Sequence, residues 1–282
     1  MRDRSWLATR FLVWALLVGA SCFAPAPARG HDIPGFTVRA APDLTAYDEP
    51  ESVRAVVAGL LPDLRTLPPW NLSIERPSAD TRLLRFANTV WNSGAGPIEL
   101  YGVHDVSTLQ TTVAQRVFHA DGSFLDHKVG SFVWHPEHDH WHVGDFATYA
   151  LWTVADDGAS VLRTTSSDKL SYCLIDTDIV APELSGFPAG RVYIGCGRLR
   201  QGLSIGWGDT YEADLPGQEL DLGGLADGQY ALVSTANPRG HLIETDVSNN
   251  TGITYLELRG DQVWAIPPPA PSLALCRSAG WC

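Results

Sequence analysis

The chain has 282 residues, 45% of them hydrophobic and 18% charged, an ordinary globular composition with room for one large or two small domains. A net charge of -12 and a pI near 5.1 argue against a nucleic-acid partner and favour cationic ones, unless the charge serves only solubility.

Residues 1–28 read as a secretory signal peptide. Arg2, Arg4 and Arg10 lead into an apolar run from Phe11 to Ala20, and small residues end at Ala26-Pro27-Ala28. The run is too short for a membrane span, so a secreted protein cleaved after Ala28 is expected. Cleavage would remove three arginines and one aspartate and take the net charge from -12 to -14. Lipid anchoring at Cys22 ranks second, because Gly19-Ala20-Ser21 lacks the usual upstream leucine. Four cysteines then remain, Cys173, Cys196, Cys276 and Cys282, and in an exported chain an even number implies disulfides with three possible connectivities. Cys276 and Cys282 bracket a short loop and are expected to pair, which leaves Cys173 with Cys196.

Residues 29–55 read as an irregular segment carrying Pro34, Pro42 and Pro50, and residues 53–61 could form one short helix. Residues 82–92 predict a strand that stops at the turn signal Ser93-Gly94-Ala95-Gly96-Pro97, and 98–103 a second. Residues 115–118 and 124–125 flank Asp121-Gly122 as a hairpin. Further strands are expected at 146–154, 169–175, 192–194, 229–234 and 253–258. Short strands between Gly, Pro and Asp turns indicate an all-β sandwich-like or barrel-like domain over 56–262, with long irregular loops and little helix. Residues 263–282 are expected to form a Pro-rich tail with a small Cys276–Cys282 loop.

Between two of these strands lies Trp134-His135-Pro136-Glu137-His138-Asp139-His140-Trp141-His142. In an extended chain side chains alternate, so His138, His140 and His142 share one face, with His135 close by. Three imidazoles suit copper, zinc or non-haem iron, and His-rich tracts of this kind bind metal more often than they arise by chance.

The histidine run followed by Asp145-Phe146-Ala147-Thr148-Tyr149 resembles the copper-binding segment of lysyl oxidases. Further landmarks of that family follow in order: Lys169-Leu170-Ser171-Tyr172-Cys173-Leu174, then Cys196 and Gln201-Gly202-Leu203-Ser204. After them come Gly208-Asp209-Thr210-Tyr211-x-Ala213-Asp214, Asn237-Pro238 and Glu244-Thr245-Asp246-Val247-Ser248-Asn249-Asn250. Upstream, Pro62-Asp63-Leu64 and Leu83-Leu84-Arg85-Phe86 fit as well, so the resemblance runs from about 60 to 260.

The resemblance implies a copper-dependent amine oxidase in which His138, His140 and His142 hold copper. Lys169 and Tyr211 would form a lysine tyrosylquinone, although each alone would pass for an ordinary surface lysine or strand tyrosine. Such a cofactor condenses with a primary amine, a lysyl side chain of a cationic peptide or protein for instance, and molecular oxygen restores it with release of peroxide and ammonia. Thr148 stands where animal enzymes carry a histidine proposed near the base role, so Asp145 and Asp209 become the candidate bases. Glu137 stands where those enzymes have a cysteine that pairs with the counterpart of Cys196, which agrees with a Cys173–Cys196 link here. Asp63, the Leu64 carbonyl, Asp246, Asn249 and Asn250 resemble a structural calcium site, and oxygen ligands suit a hard cation. Two other readings use the same histidines. A cupin-like oxygenase would need a carboxylate soon after the HxH pair, which is missing, and an immunoglobulin-like metal-binding module has no use for Lys169 with Tyr211.

Overall fold

The computed structural model describes residues 59–107, 110–136, 139–154, 161–167 and 171–268. The signal peptide, the 29–55 segment, His138, Lys169, Cys22, Cys276 and Cys282 lie outside the described residues, as does the 53–58 part of the expected helix.

Among the described residues sixteen strands follow in order: β1 (Leu64–Thr66), β2 (Trp70–Glu75), β3 (Leu83–Asn92), β4 (Ile98–Asp105), β5 (Gln110–Phe118), β6 (Phe124–His135), β7 (His140–Val143) and β8 (Ala147–Val154) form the first half. The second half holds β9 (Val161–Ser166), β10 (Asp178–Ile179), β11 (Arg200–Leu203), β12 (Trp207–Tyr211), β13 (Glu219–Asp221), β14 (Gly228–Ala236), β15 (Thr251–Arg259) and β16 (Gln262–Ala265). Among the described residues there is no helix, so none is long and apolar enough to cross a membrane. The fold is all-β.

Three antiparallel sheets build it. The first runs β1-β3-β12-β10, with β2 and β13 also on β3; the second runs β11-β4-β5-β6-β7; the third runs β16-β15-β14-β8-β9. One core draws on all three, through Leu84, Phe86 and Trp207 of the first, Leu100, Val113 and Val143 of the second, and Tyr149, Leu232 and Leu256 of the third. Strands β3, β4, β8, β14 and β15 and the β5–β6 hairpin match the expected ones, because their apolar and β-branched runs face that core.

Strands were expected at 169–175 and 192–194; the described part of the first, 171–175, and the whole of the second are not strands. From 171 to 199 the chain is regular only at β10, and Tyr172 makes just an isolated bridge to Val143. Their apolar residues serve instead as anchors of a loop: Tyr172, Leu174 and Tyr193 are all buried. The buried Asp176 carboxylate takes the place of a partner strand. It accepts the backbone N–H groups of Val192 (2.8 Å), Tyr193 (3.1 Å) and Ser204 (2.8 Å), so the loop satisfies its donors without a ladder. Gly206, at φ +74°, turns the chain from β11 into β12, and a Cβ there would lie 2.4 Å from the Ala181 carbonyl oxygen.

Candidate functional site

The histidine run is a hairpin rather than one extended strand. Asp139 sits at φ 54°, in the left-handed region, so the alternation restarts at His140 where β7 begins. Strand β7 pairs with β6 so that His135 lies opposite His140 and Val133 opposite His142, while Trp134 pairs with Trp141 on the other face. His135, His140 and His142 therefore cluster by register. The His142 ring lies 4.6 Å from His135 and 4.8 Å from His140, and the Nε2 atoms of His140 and His142 are 2.9 Å apart. His142 is fully buried. Two imidazole nitrogens directed at one point make a donor set that fits a borderline metal.

Ser171, Tyr172 and Cys173 join this hairpin to the expected cofactor tyrosine. The Ser171 hydroxyl lies 3.2 Å from His142 Nδ1. Next to it, Val143 N–H donates to the Tyr172 carbonyl (2.7 Å) and Tyr172 N–H to the Val143 carbonyl (3.0 Å). The Tyr172 ring meets that of Tyr211 edge-on with centroids 4.8 Å apart, and the Tyr211 hydroxyl donates to the Cys173 carbonyl. Cys173 is bonded to Cys196, as the cysteine arithmetic anticipates, and the Cys196 carbonyl accepts Trp141 N–H of β7 at 3.0 Å. Lys169 lies outside the described residues, but the chain just after it packs on Tyr211.

Tyr211 ends β12, where its register opposite Asn88 sends it to the same face as Asp209. Burial, reinforced by the Asp209 carboxylate, pushes its phenol well above the ordinary tyrosine range. Its hydroxyl faces two acceptors, the Cys173 carbonyl and Asp209. Tyr149 and Tyr172 extend the cluster inward; burial pushes Tyr149 up to about 12 and Tyr172 well above 10.

The two candidate bases have different surroundings. Asp209 is 2% exposed beside Tyr211. Asp145 follows β7 at φ 56° and is engaged at the surface by Arg239 (3.2 Å) and His241 (3.7 Å).

Part of the expected calcium set, Asp63 with Asn249, also converges. The Asp63 carboxylate accepts Asn249 Nδ2 at 3.1 Å through Oδ1, and Leu64 N–H donates to Glu244 Oε2 at 2.9 Å. Glu244 Oε1 accepts from Asn237 (2.6 Å) and Asn250 (2.8 Å), and burial pushes its carboxyl above the usual range. The side-chain oxygens of Asn249 and Asn250 are buried with no donor. Two orphaned amide oxygens beside carboxylates fit a hard cation. Asp246 is exposed and is spent on a turn with Ser248, whose hydroxyl and N–H lower its pKa. Among the described residues no three His, Cys, Asp or Glu side chains converge as a metal-binding group. Sequence reasoning passed over Glu244, although it stands in the same motif, and gave Ser171 and Tyr172 no role, because a serine or a second tyrosine carries no signature of its own.

The Lysyl oxidase family model matches residues 116–267, more than half of the chain, from β5 past β16. Protein-lysine 6-oxidase of Sus scrofa is 32% identical over 136 residues, 48% of this chain and 50% of that protein. Protein-lysine 6-oxidase of Gallus gallus is 35% identical over 136 residues, 48% of this chain and 30% of that protein. Lysyl oxidase homolog 4 of Mus musculus is 31% identical over 137 residues, again 48% of this chain but 16% of that protein. The chain thus spans half or less of these relatives. The match takes in the histidine hairpin, the Ser171–Cys173 segment and Tyr211 together: this chain belongs to the lysyl oxidase family.

Proposed function

We propose that the protein is a secreted, copper-dependent amine oxidase that converts lysyl or other primary amines to aldehydes through a lysine tyrosylquinone built from Lys169 and Tyr211. The observation that carries this is the short bridge from the histidines to the tyrosine: Ser171 at His142 and, two residues on, Cys173 at the Tyr211 hydroxyl. His140 and His142, with His138, would hold the copper. With dioxygen it would supply oxidation of the Tyr211 ring to a quinone that accepts both the lysine amine and substrate electrons.

The chain's own residues do the rest. The Cys173 carbonyl and the Tyr172 ring fix the hydroxyl and the plane of Tyr211. Asp209, buried beside that hydroxyl, is the better placed of the two bases to take a proton from the substrate's α-carbon, since Asp145 is held by Arg239 and His241. A substrate amine with an ordinary pKa of about 10.4 must attack unprotonated, and the buried phenols around Tyr211 supply an environment that disfavours its charge. Two grooves share Glu212; one is also lined by Asp214 and by Glu75, which pairs with Arg85, the other by Asp178 and Trp70, and this surplus of carboxylates suits a cationic polypeptide. Asp63, Glu244, Asn249 and Asn250 would hold calcium in a structural role, with residues 1–28 as the export signal.

The test is peptide mapping after copper loading in air. One peptide should join the Lys169 and Tyr211 segments with the mass of the quinone, and Tyr211→Phe should keep the fold and lose both the link and amine oxidation. Amine oxidation by Tyr211→Phe at the parent rate would sink the proposal.

A further inference from the structure

We infer that Ser171 is a positioning residue for the metal site: its hydroxyl accepts the Nδ1–H of His142 and so keeps the Nε2 lone pair of that ring directed at the point it shares with His140. The inference rests on the copper reading above and extends it beyond the histidines. The geometry has two parts. His142 Nδ1 lies 3.2 Å from Ser171 Oγ, while His142 Nε2 faces His140 Nε2 at 2.9 Å. A neutral imidazole carries one proton, so whichever nitrogen holds it leaves the other as the ligand. With the Nδ1–H donated to Ser171 Oγ, His142 presents its Nε2 lone pair inward, and His140 supplies the proton of the Nε2–Nε2 contact in the metal-free protein.

Ser171 itself is held firmly. The next residue makes the two-way backbone exchange with Val143, one position beyond His142, at 2.7 and 3.0 Å. The Tyr172 ring, 1% exposed, is wedged between Tyr211, Tyr149 and Phe146. Cys173 is fastened to Cys196, whose carbonyl accepts Trp141 N–H of the histidine strand. The hydroxyl is therefore fixed relative to β7 from both sides. Outer partners of ligating histidines commonly set ring tautomer and metal affinity in this way.

Two variants test it, Ser171→Ala and Ser171→Thr, each compared with the parent by three readouts. In the metal-free protein, long-range proton–nitrogen NMR of the His142 ring should show the Nδ1–H tautomer in the parent and in Ser171→Thr. In Ser171→Ala it should show a shift towards Nε2–H. Copper affinity, measured by chelator competition, should fall about 10–100-fold in Ser171→Ala and recover in Ser171→Thr. The copper EPR hyperfine splitting should change only in Ser171→Ala, with thermal unfolding close to the parent. Copper uptake by the parent together with a Ser171→Ala variant of unchanged tautomer and affinity would overturn the inference and leave the proposed function standing. A parent protein that takes up no copper would overturn both.

Discussion

Removing the Cys173–Cys196 disulfide tests the frame of the site and the stability of the fold at once. The two cysteines are 23 residues apart in sequence, with Cα atoms 5.4 Å apart. Cross-linking a loop of that length lowers the entropy of the unfolded chain enough to stabilise the fold by about 3.4 kcal/mol. For a domain of this size each kcal/mol shifts Tm by about 2–4 °C, so the double variant Cys173→Ala/Cys196→Ala should melt about 7–14 °C below the parent. Cys173 is 2% exposed, so the matching double serine variant buries a hydroxyl and should lose about 1–3 kcal/mol more. The local effect is separate. Without the link the loop need no longer hold the Cys173 carbonyl at the Tyr211 hydroxyl, nor the Cys196 carbonyl at Trp141 N–H. Thermal melts followed by tryptophan fluorescence, with urea titrations as a check on the unfolding slope, measure the first effect. Copper affinity and quinone yield measure the second. A double alanine variant that melts within about 2 °C of the parent would refute the loop-entropy argument. One that melts lower yet forms quinone at the parent yield would refute the coupling of the disulfide to the site.

Other expectations follow from single interactions. Arg116 and Asp126 form a bidentate pair at 2.8 Å with both side chains buried, so Asp126→Ala should cost about 3–5 kcal/mol in urea unfolding. Arg116→Met with Asp126→Leu should cost far less, because no charge is left unpaired. Tyr149, Tyr172 and Tyr193 are buried with phenols raised above 10, so above about pH 10 the unfolded chain releases protons that the folded one keeps. Stability should then fall by about 4 kcal/mol per pH unit for the three, and absorbance at 295 nm should show these phenols ionising only on unfolding. Calcium at about 100 times its dissociation constant should raise unfolding stability by about 2.7 kcal/mol, and Asn249→Ala should abolish that increment. An equal calcium response in the variant would exclude the amide oxygen as a ligand.

Local pattern alone specified the fold class, the strands that became β3, β4, β8, β14 and β15, and the β5–β6 hairpin with its Asp121-Gly122 turn. Each of these carries its own period or turn chemistry, so a reader of the sequence needs no partner to see it. The histidine run and the cysteine pair were legible for another reason, a chemistry rare enough to stand out wherever it lies, whereas Tyr211 was legible only through the motif around it. Tertiary structure decided the rest. The short β1, β10, β11 and β13 exist only because a neighbouring strand lends them a ladder, and the 192–194 stretch became loop because Asp176 offered the Val192 and Tyr193 donors a carboxylate. Asp139 in the left-handed region broke the run of alternating histidines, so cross-strand register brought His135 opposite His140. Ser171 and Glu244 acquired roles from what folding placed beside them, His142 in one case and Leu64, Asn237 and Asn250 in the other. A hydroxyl or a carboxylate has no meaning in a sequence until the chain brings its partner within about 3 Å.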